Sequence, residues 1–149
     1  MFKKLFLFLI IASLVSGLSY AGKYRQTAYV TNVYFCNNPQ RTEGFVQPDT
    51  VFNKLKANDP TVVAHVVLNL VADQGVHEIS MDILDAQGRA FDALKFSPIT
   101  ADSDDWTYTA TGRFGGALPD GGIFIKVYDQ HDNKNKEVIG TFRLMTAEW

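Results

Sequence analysis

The chain has 149 residues, with 14 lysines and arginines against 16 aspartates and glutamates, which gives a formal net charge of −2 at pH 7. This slightly acidic balance, with the basic residues scattered along the sequence, argues against nucleic acid or an anionic membrane surface as a partner. The length suits one domain with a sizeable core. The single cysteine, Cys36, excludes an intramolecular disulfide, and its apolar context favours a small buried side chain.

The amino terminus has the pattern of a cleavable secretory signal peptide. Two lysines precede an apolar stretch over residues 5–15, and the small residues Ser19 and Ala21 occupy the −3 and −1 positions of a cleavage site. Serines interrupt the apolar run, whereas a membrane span needs about 20 consecutive apolar residues. We therefore expect residues 1–21 to be removed and no membrane span to remain.

Cleavage would leave one soluble domain, residues 22–149. The signal peptide carries two lysines and no acids, so 12 basic residues would remain against 16 acidic ones. Gly22 follows the cut where a lipoprotein has cysteine, and the sequence contains no Asn-x-Ser/Thr site. These features predict a periplasmic or secreted protein, and they favour a bacterial envelope.

Most of the domain has the alternation and turn chemistry of β-strands. The pattern predicts an all-β fold, an antiparallel seven-stranded β-sandwich of immunoglobulin-like architecture. The seven expected strands are residues 27–36, 61–72, 76–84, 89–96, 105–113, 122–129 and 137–146. Asp120, Gly122 and Phe124 resemble the Asp-x-Gly-x-Tyr corner of such domains, although phenylalanine lacks the hydroxyl that makes the corner's hydrogen bond.

The long connection over residues 41–60 is the expected exception to the β pattern. Asp49 could cap a short helical turn, and Pro60 would prevent that turn from continuing. Its apolar side would carry Val51, Phe52 and Leu55.

Two hairpins are predicted in the middle of the chain. A two-residue loop at Gln74 and Gly75 would pair the second and third strands, so that Leu70 faces Ile79 and a shared apolar face results. The same face would also carry Val66, Leu68 and Ala72 on one strand and His77, Met81 and Ile83 on the next. The segment 85–88 has aspartate first and glycine fourth, as a type I turn prefers, and predicts the next hairpin.

The second expected strand is apolar on both sides, which is unusual for a sandwich strand because one face normally meets water. The row of side chains on its second side, together with Tyr29 on the first expected strand, forms a candidate binding surface. This surface consists of Tyr29, Val63, His65, Val67 and Val71. Either the 41–60 connection covers this row, or a partner does. The partner would be another envelope protein, a second copy of the chain, or an apolar ligand.

Sites for metal or catalysis are weakly indicated. The three histidines, His65, His77 and His131, are far apart and lack metal-ligand spacing. Asp102, Asp104 and Asp105 lie in one loop and form a candidate calcium site, and a similar acidic loop spans residues 129–133. No nucleophile motif or phosphate loop is present, so we expect neither a cofactor nor an enzyme.

The sequence thus favours a non-catalytic binding or accessory module that acts through protein–protein contacts. Two alternatives stay open. One is a domain that binds a small ligand or a calcium-type ion, and the other is a hydrolase whose site is assembled from distant loops.

Overall fold

The computed structural model describes residues 27–42, 45–48 and 50–148, so the expected signal peptide and Asp49 lie outside the described residues. The described residues form eleven strands and no helix. The strands are β1 Ala28–Cys36, β2 Pro39–Thr42, β3 Phe45–Pro48, β4 Lys54–Lys56, β5 Val63–Ala72, β6 Gly75–Leu84, β7 Ala90–Lys95, β8 Ile99–Ala101, β9 Trp106–Gly115, β10 Ile123–His131 and β11 Glu137–Ala147.

Two main sheets contain most of these strands. The smaller sheet has the order β1-β5-β9, and the larger has the order β4-β11-β10-β6-β7 with β8 also paired to β6. Strands β2 and β3 form a separate hairpin. All strand pairs are antiparallel except β4 with β11, which run parallel. The result is a sandwich-like all-β arrangement.

The hydrophobic core lies between the two sheets. Alternate residues of β5 point inward from the smaller sheet, and alternate residues of β6 and β10 point inward from the larger one. The fully buried side chains at the centre are Val66, Leu68, Leu70, Ile79, Met81, Ile83, Ile123, Ile125 and Val127. Each such side chain contributes about 1.5–3 kcal/mol through burial, so this core is the main source of stability.

All seven expected segments are strands, and four short strands, β2, β3, β4 and β8, were not foreseen. The helical turn in the 41–60 connection was wrong. Val51 instead makes an isolated bridge with Cys36, the N–H of Phe52 donates to the carbonyl of Phe35, and Leu55 lies in β4 within the core. An extended segment between two sheets finds backbone partners on both sides, whereas two isolated helical turns are marginal in water.

Residues 50–52 run along the edge of β1, and β4 then joins the larger sheet beside β11. Cys36 is fully buried next to this bridge, in agreement with the expected small buried side chain.

The expected hairpin of β5 with β6 was wrong, although the buried face of each strand was predicted correctly. Strand β5 pairs with β1 and β9, and β6 pairs with β10, β7 and β8. Leu70 and Ile79 therefore approach the core from opposite sheets. The loop between the strands is held by other segments, because the N–H of Asp73 donates to the Thr27 carbonyl and the N–H of Gln74 donates to Asp104.

The next hairpin is confirmed. The N–H of Gly88 donates to the carbonyl of Asp85, and β6 and β7 pair directly after this turn. The Asp85 carboxylate also accepts from the N–H groups of Gln87 and Arg89 and from the Arg89 side chain. These hydrogen bonds explain why aspartate is suited to the first position of the turn.

Candidate functional site

The residues of the predicted binding surface lie on the outer face of the smaller sheet, but they do not form one apolar patch. Tyr29 and Val63 are 46% and 39% exposed, whereas Val67 at the centre of the row is only 1% exposed. His65 and Val71 are half-buried. Val71 is the cross-strand neighbour of Tyr29, and Val63 lies at the other end of β5.

Polar residues separate the two ends of this face. Asn32 on β1 faces Asn69 on β5, and the Thr109 hydroxyl donates to the Asn69 side chain over 2.9 Å. The hydroxyl of Thr31 donates to the Asn69 carbonyl. Towards the Cys36 end of the sheet, Nδ1 of His65 lies 2.7 Å from the carbonyl oxygen of Asn37. The outer face is therefore a mixed polar surface with two small apolar ends.

The edge of the smaller sheet formed by β9 differs from the other edges. In the part of the chain that the structure describes, β5 is the sole strand paired with β9, and ten consecutive residue pairs join them without a register shift. The strand contains no proline and one charged residue, Arg113. Edge strands of this length and regularity present free backbone donors and acceptors to an incoming strand.

The other long strands at sheet edges are interrupted. Register shifts occur at Thr31 in β1 and at Phe91 in β7, and a further shift occurs at Ile139 in β11, outside the three residues of β11 that pair with β4. The edge strands β4 and β8 have three residues each. Bulges and short length are features that prevent strands from pairing with other chains. Within the described residues, β9 alone among the long edge strands lacks such a feature.

The first half of β9 is open on its inner side. Trp106 and Tyr108 point inward and pack against the core, yet both remain partly exposed. On the outer side Thr107 is exposed, and Thr109 is half-buried. An added strand would find aromatic surface on one side and β-branched polar surface on the other.

The second half of β9 is closed on its inner side. A Cβ atom on Gly112 would come within 2.9 Å of both Leu94 and Phe96, so the segment around β7 packs closely there. The Phe114 ring meets the Phe35 ring edge-on, with 6.1 Å between centroids. The accessible apolar surface is therefore confined to the end near Trp106.

The loop that precedes β9 carries the three aspartates of the candidate calcium site. Asp102, Asp104 and Asp105 are all exposed. One carboxylate oxygen of Asp104 accepts from the N–H of Gln74 over 3.0 Å, and Asp105 has a left-handed backbone, with φ of 58°. Across the described ranges, no group of three or more His, Cys, Asp or Glu side chains is arranged to hold a metal ion. The calcium site stays a prediction.

Two histidines that are 54 positions apart in sequence meet at one end of the larger sheet. His77 on β6 and His131 on β10 are directly opposed in the strand register. Their rings stack with 4.4 Å between centroids and an interplanar angle of 11°. The only sequence signal for this contact is the pairing of β6 with β10, which depends on the topology of the whole fold.

The ring of His77 is fully buried and bonded at both nitrogens. Nδ1 lies 2.7 Å from Oδ2 of Asp129, and Nε2 lies 2.8 Å from the carbonyl oxygen of Asp73. The carbonyl only accepts, so Nε2 carries a hydrogen. A second proton must lie between Nδ1 and the carboxylate oxygen, because both atoms would otherwise be acceptors. With that proton on Nδ1, the pair consists of an imidazolium and a carboxylate. The Thr27 hydroxyl donates to the same oxygen.

The second histidine is held by the neighbouring loops. Nε2 of His131 lies 3.1 Å from the Gln74 carbonyl and 3.2 Å from Oδ2 of Asp132. Its Nδ1 atom and Oδ1 of Asp129 are buried without a hydrogen-bond partner among the described residues. The two histidines, Asp129 and Asp132, which we call the histidine cluster, join β6, β10 and both adjoining loops.

Comparison with known proteins places the chain by fold alone. No protein-family model matches the sequence, and no curated protein matches it. Among solved structures, the crystal structure of the C-terminal domain of Wzt is similar, with a TM-score of 0.54 and 9% sequence identity. The likeness covers 84% of this chain and 76% of that one. At this identity it supports a sandwich-like all-β fold and carries no function across.

A search of the described residues for a helix long and apolar enough to cross a membrane finds none.

Proposed function

We propose that the protein is a binding module that recruits an extended segment of another polypeptide by adding it as a strand to β9. The observation that supports this proposal is the edge of β9, which joins β5 through ten consecutive residue pairs without a register shift and pairs with no other described strand. The proposed site is the first half of this edge, from Trp106 to Thr109. A row of backbone donors and acceptors is complementary to another strand, and strand addition is an established mode of peptide recognition.

The contrast with the other edges strengthens this proposal. An unprotected edge exposes a protein to aggregation, which is why edges are normally bulged, short or charged. Within the described residues, the edge strands β1 and β7 contain a register shift, as does β11 outside its three pairs with β4, and β9 does not. The regular edge of β9 carries this risk of aggregation, and a partner that pairs with the edge is the best explanation for it.

The aromatic residues on β9 favour a protein partner over a small ligand. Trp106 and Tyr108 are partly exposed beside this edge, and tryptophan and tyrosine are the residues that most often contribute large shares of binding energy at protein interfaces. An added strand would cover both rings. The interface proposed from the sequence, a protein–protein contact, is therefore retained, but it moves from the outer face of β5 to the edge of β9.

Three predictions made from the sequence are also part of this proposal. Export through the signal peptide, action in the periplasm or outside the cell, and a non-catalytic role accompany the binding function. The hydrogen-bonding of His77 supports the last of these, because both ring nitrogens are engaged and none is left to accept a substrate proton. The immunoglobulin-like type of the fold is likewise a proposal; Phe124 of the corner-like segment lies beneath the guanidinium of Arg143.

Site-specific photo-crosslinking in the native host tests the proposal. A photoreactive residue is placed at Thr107, which is exposed on β9, and in a matched variant at Thr141, which is exposed on β11. We expect a discrete adduct from position 107 and none from position 141. Mass spectrometry of the adduct then identifies the partner peptide. Adducts of equal yield from both positions, or none from position 107, would contradict the proposal.

A further inference from the structure

The first half of β9 has two residues whose backbone groups point away from β5. These residues are Thr107 and Thr109, because the N–H and C=O groups of successive residues alternate between the two sides of a strand. Thr111, the next residue in this alternation, already has an interaction within the chain. A strand added to the first half must therefore be held by the backbone groups of Thr107 and Thr109 alone.

We infer that the added strand belongs to a second copy of the chain, and that the segments Trp106–Ala110 of the two copies pair antiparallel about a two-fold axis at Tyr108. This inference rests on the proposed function and names its partner. Thr107 of each copy lies opposite Thr109 of the other. Each opposed pair of this kind exchanges both of its N–H to C=O hydrogen bonds, so the two pairs use all the outward backbone groups of both threonines.

No other register of the two segments uses both threonines. A shift of two residues in one direction places Thr107 opposite its own counterpart and Thr109 opposite Asp105, whose left-handed backbone, with φ of 58°, does not continue a strand. The same shift in the other direction places Thr107 opposite Thr111, which already has an interaction within its own copy. The register centred on Tyr108 is therefore the one that the edge allows.

The side chains also match in this register. On the inner side Trp106, which is partly exposed, lies opposite Ala110, whose small side chain leaves room for the indole ring. The two copies of Tyr108, also partly exposed, meet at the axis. On the outer side Thr107 meets Thr109, and directly opposed β-branched side chains of this kind stabilise antiparallel strands.

The charges around the edge favour a second copy over an unrelated segment. The loop before β9 carries Asp102, Asp104 and Asp105, all exposed, and Arg113 is exposed beyond the other end of the paired segment. Antiparallel pairing directs the aspartate loop of each copy towards Arg113 of the other, outside the hydrogen-bonded part. An edge that is acidic at one end and basic at the other is thus complementary to its own reverse, and a two-fold axis forms this contact twice.

The association state of the purified protein tests the inference. We expect analytical ultracentrifugation to show a monomer–dimer equilibrium with a dissociation constant below about 1 mM. Thr107→Pro removes an N–H that points away from β5, a change that an edge strand tolerates, and should weaken the dimer by about ten-fold or more. The matched control Thr107→Ala keeps this N–H and should dimerise within about three-fold of the native protein. A native protein that stays monomeric, or equal dimerisation of the two variants, overturns the inference.

Engineered cysteines test the register and do not depend on the proline variant. A mixture of Thr107→Cys and Thr109→Cys proteins should form a disulfide between the two copies, because opposed residues in this register lie about 5.5 Å apart between Cα atoms, within the range of a disulfide. Either variant alone should form none, since equal positions are offset by two residues. A disulfide in Thr107→Cys alone, or none in the mixture, overturns the inference. Cys36 is fully buried and should not react.

Photo-crosslinking at Thr107 separates this inference from the proposed function. An adduct of two copies of the chain supports both. An adduct with a different protein retains strand addition at β9 as the function but overturns the second copy as the partner. The absence of any adduct contradicts the proposed function itself.

Discussion

Nδ1 of His77 lies 2.7 Å from Oδ2 of Asp129, and both side chains are shielded from water, with 0% and 1% of their surfaces exposed. A proton between these atoms is required because the other ring nitrogen already donates to a carbonyl. Removing one member of a buried pair of this kind leaves the other without compensation in a medium of low dielectric constant.

The Asp129→Ala substitution should therefore lower the free energy of unfolding by about 3–5 kcal/mol, measured by urea denaturation. The control is Asp120→Ala, at an exposed loop position, where we expect a change below about 0.5 kcal/mol. A loss at Asp129 as small as that of the control would mean that the pair does not contribute to stability.

Two glycines with positive φ should respond differently to alanine. At Gly75, which has φ of 138°, a Cβ atom would clash with Nε2 of His131; at Gly88, which has φ of 78°, nothing lies within 4 Å. We expect Gly88→Ala to cost about 1 kcal/mol through backbone strain alone. Gly75→Ala should cost about 2 kcal/mol or more because it also displaces His131.

Thermal melts of both glycine variants, together with the imidazole NMR signals of His77 and His131, provide the measurement. Equal melting temperatures for the two variants, with unchanged histidine signals in Gly75→Ala, would show that the histidine cluster does not constrain this loop.

Burial predicts opposite outcomes for two valines of the same strand. Val67→Asp places a carboxylate at a position that is 1% exposed and should lower the free energy of unfolding by several kcal/mol, whereas Val63→Asp, at 39% exposure, should cost less than about 1 kcal/mol. Urea denaturation of both variants measures the difference. If the Val67→Asp variant had native stability, Val67 would have to be accessible, and the outer face of β5 would again be a candidate binding surface.

Acid should weaken the fold through two loop carboxylates. The N–H of Val76 lowers the pKa of Asp132, and the N–H of Arg89 lowers that of Asp85, in both cases below the ordinary value of 3.8. A carboxyl group whose pKa is lower in the folded chain stabilises that chain above its unfolded pKa and loses this effect as the pH falls through its folded pKa.

The melting temperature should accordingly be insensitive to these two groups above about pH 5 and should decrease below about pH 4. Asp132→Asn should show a shallower decrease between about pH 4 and pH 2.5, and Asp120→Asn should follow the native profile. An Asp132→Asn profile parallel to that of the native protein would contradict the assigned role of the Val76 hydrogen bond.

The sequence was sufficient to predict which sides of β5 and β6 are buried, but it did not determine which strands are neighbours. Leu70 and Ile79 were correctly assigned to the interior, because alternation with a period of two fixes the face of a strand. The same alternation is satisfied whether two apolar rows lie side by side in one sheet or face each other across a core. In this fold the loop at Asp73 and Gln74 connects the two sheets, and β5 and β6 do not form the expected hairpin.

Predicting the candidate site would also have required knowing which strands are neighbours. Nothing in the segment Trp106–Gly115 distinguishes an edge strand from a central one, and its position becomes clear only from the sheet order. The stacking of His77 on His131 similarly requires the register of β6 against β10. Val67 was assigned to a binding surface because its row is apolar, but the structure buries it.

The most direct test of strand addition at β9 is hydrogen exchange, measured by NMR, on the free protein and on its complex with a synthetic peptide of the segment that cross-links to Thr107. We predict that the amides of Thr107 and Thr109, which point away from β5, exchange rapidly in the free protein and become protected in the complex, while the β6 and β10 amides are unchanged. Protection confined to another strand, with the exchange of β9 unaltered, would contradict the central claim.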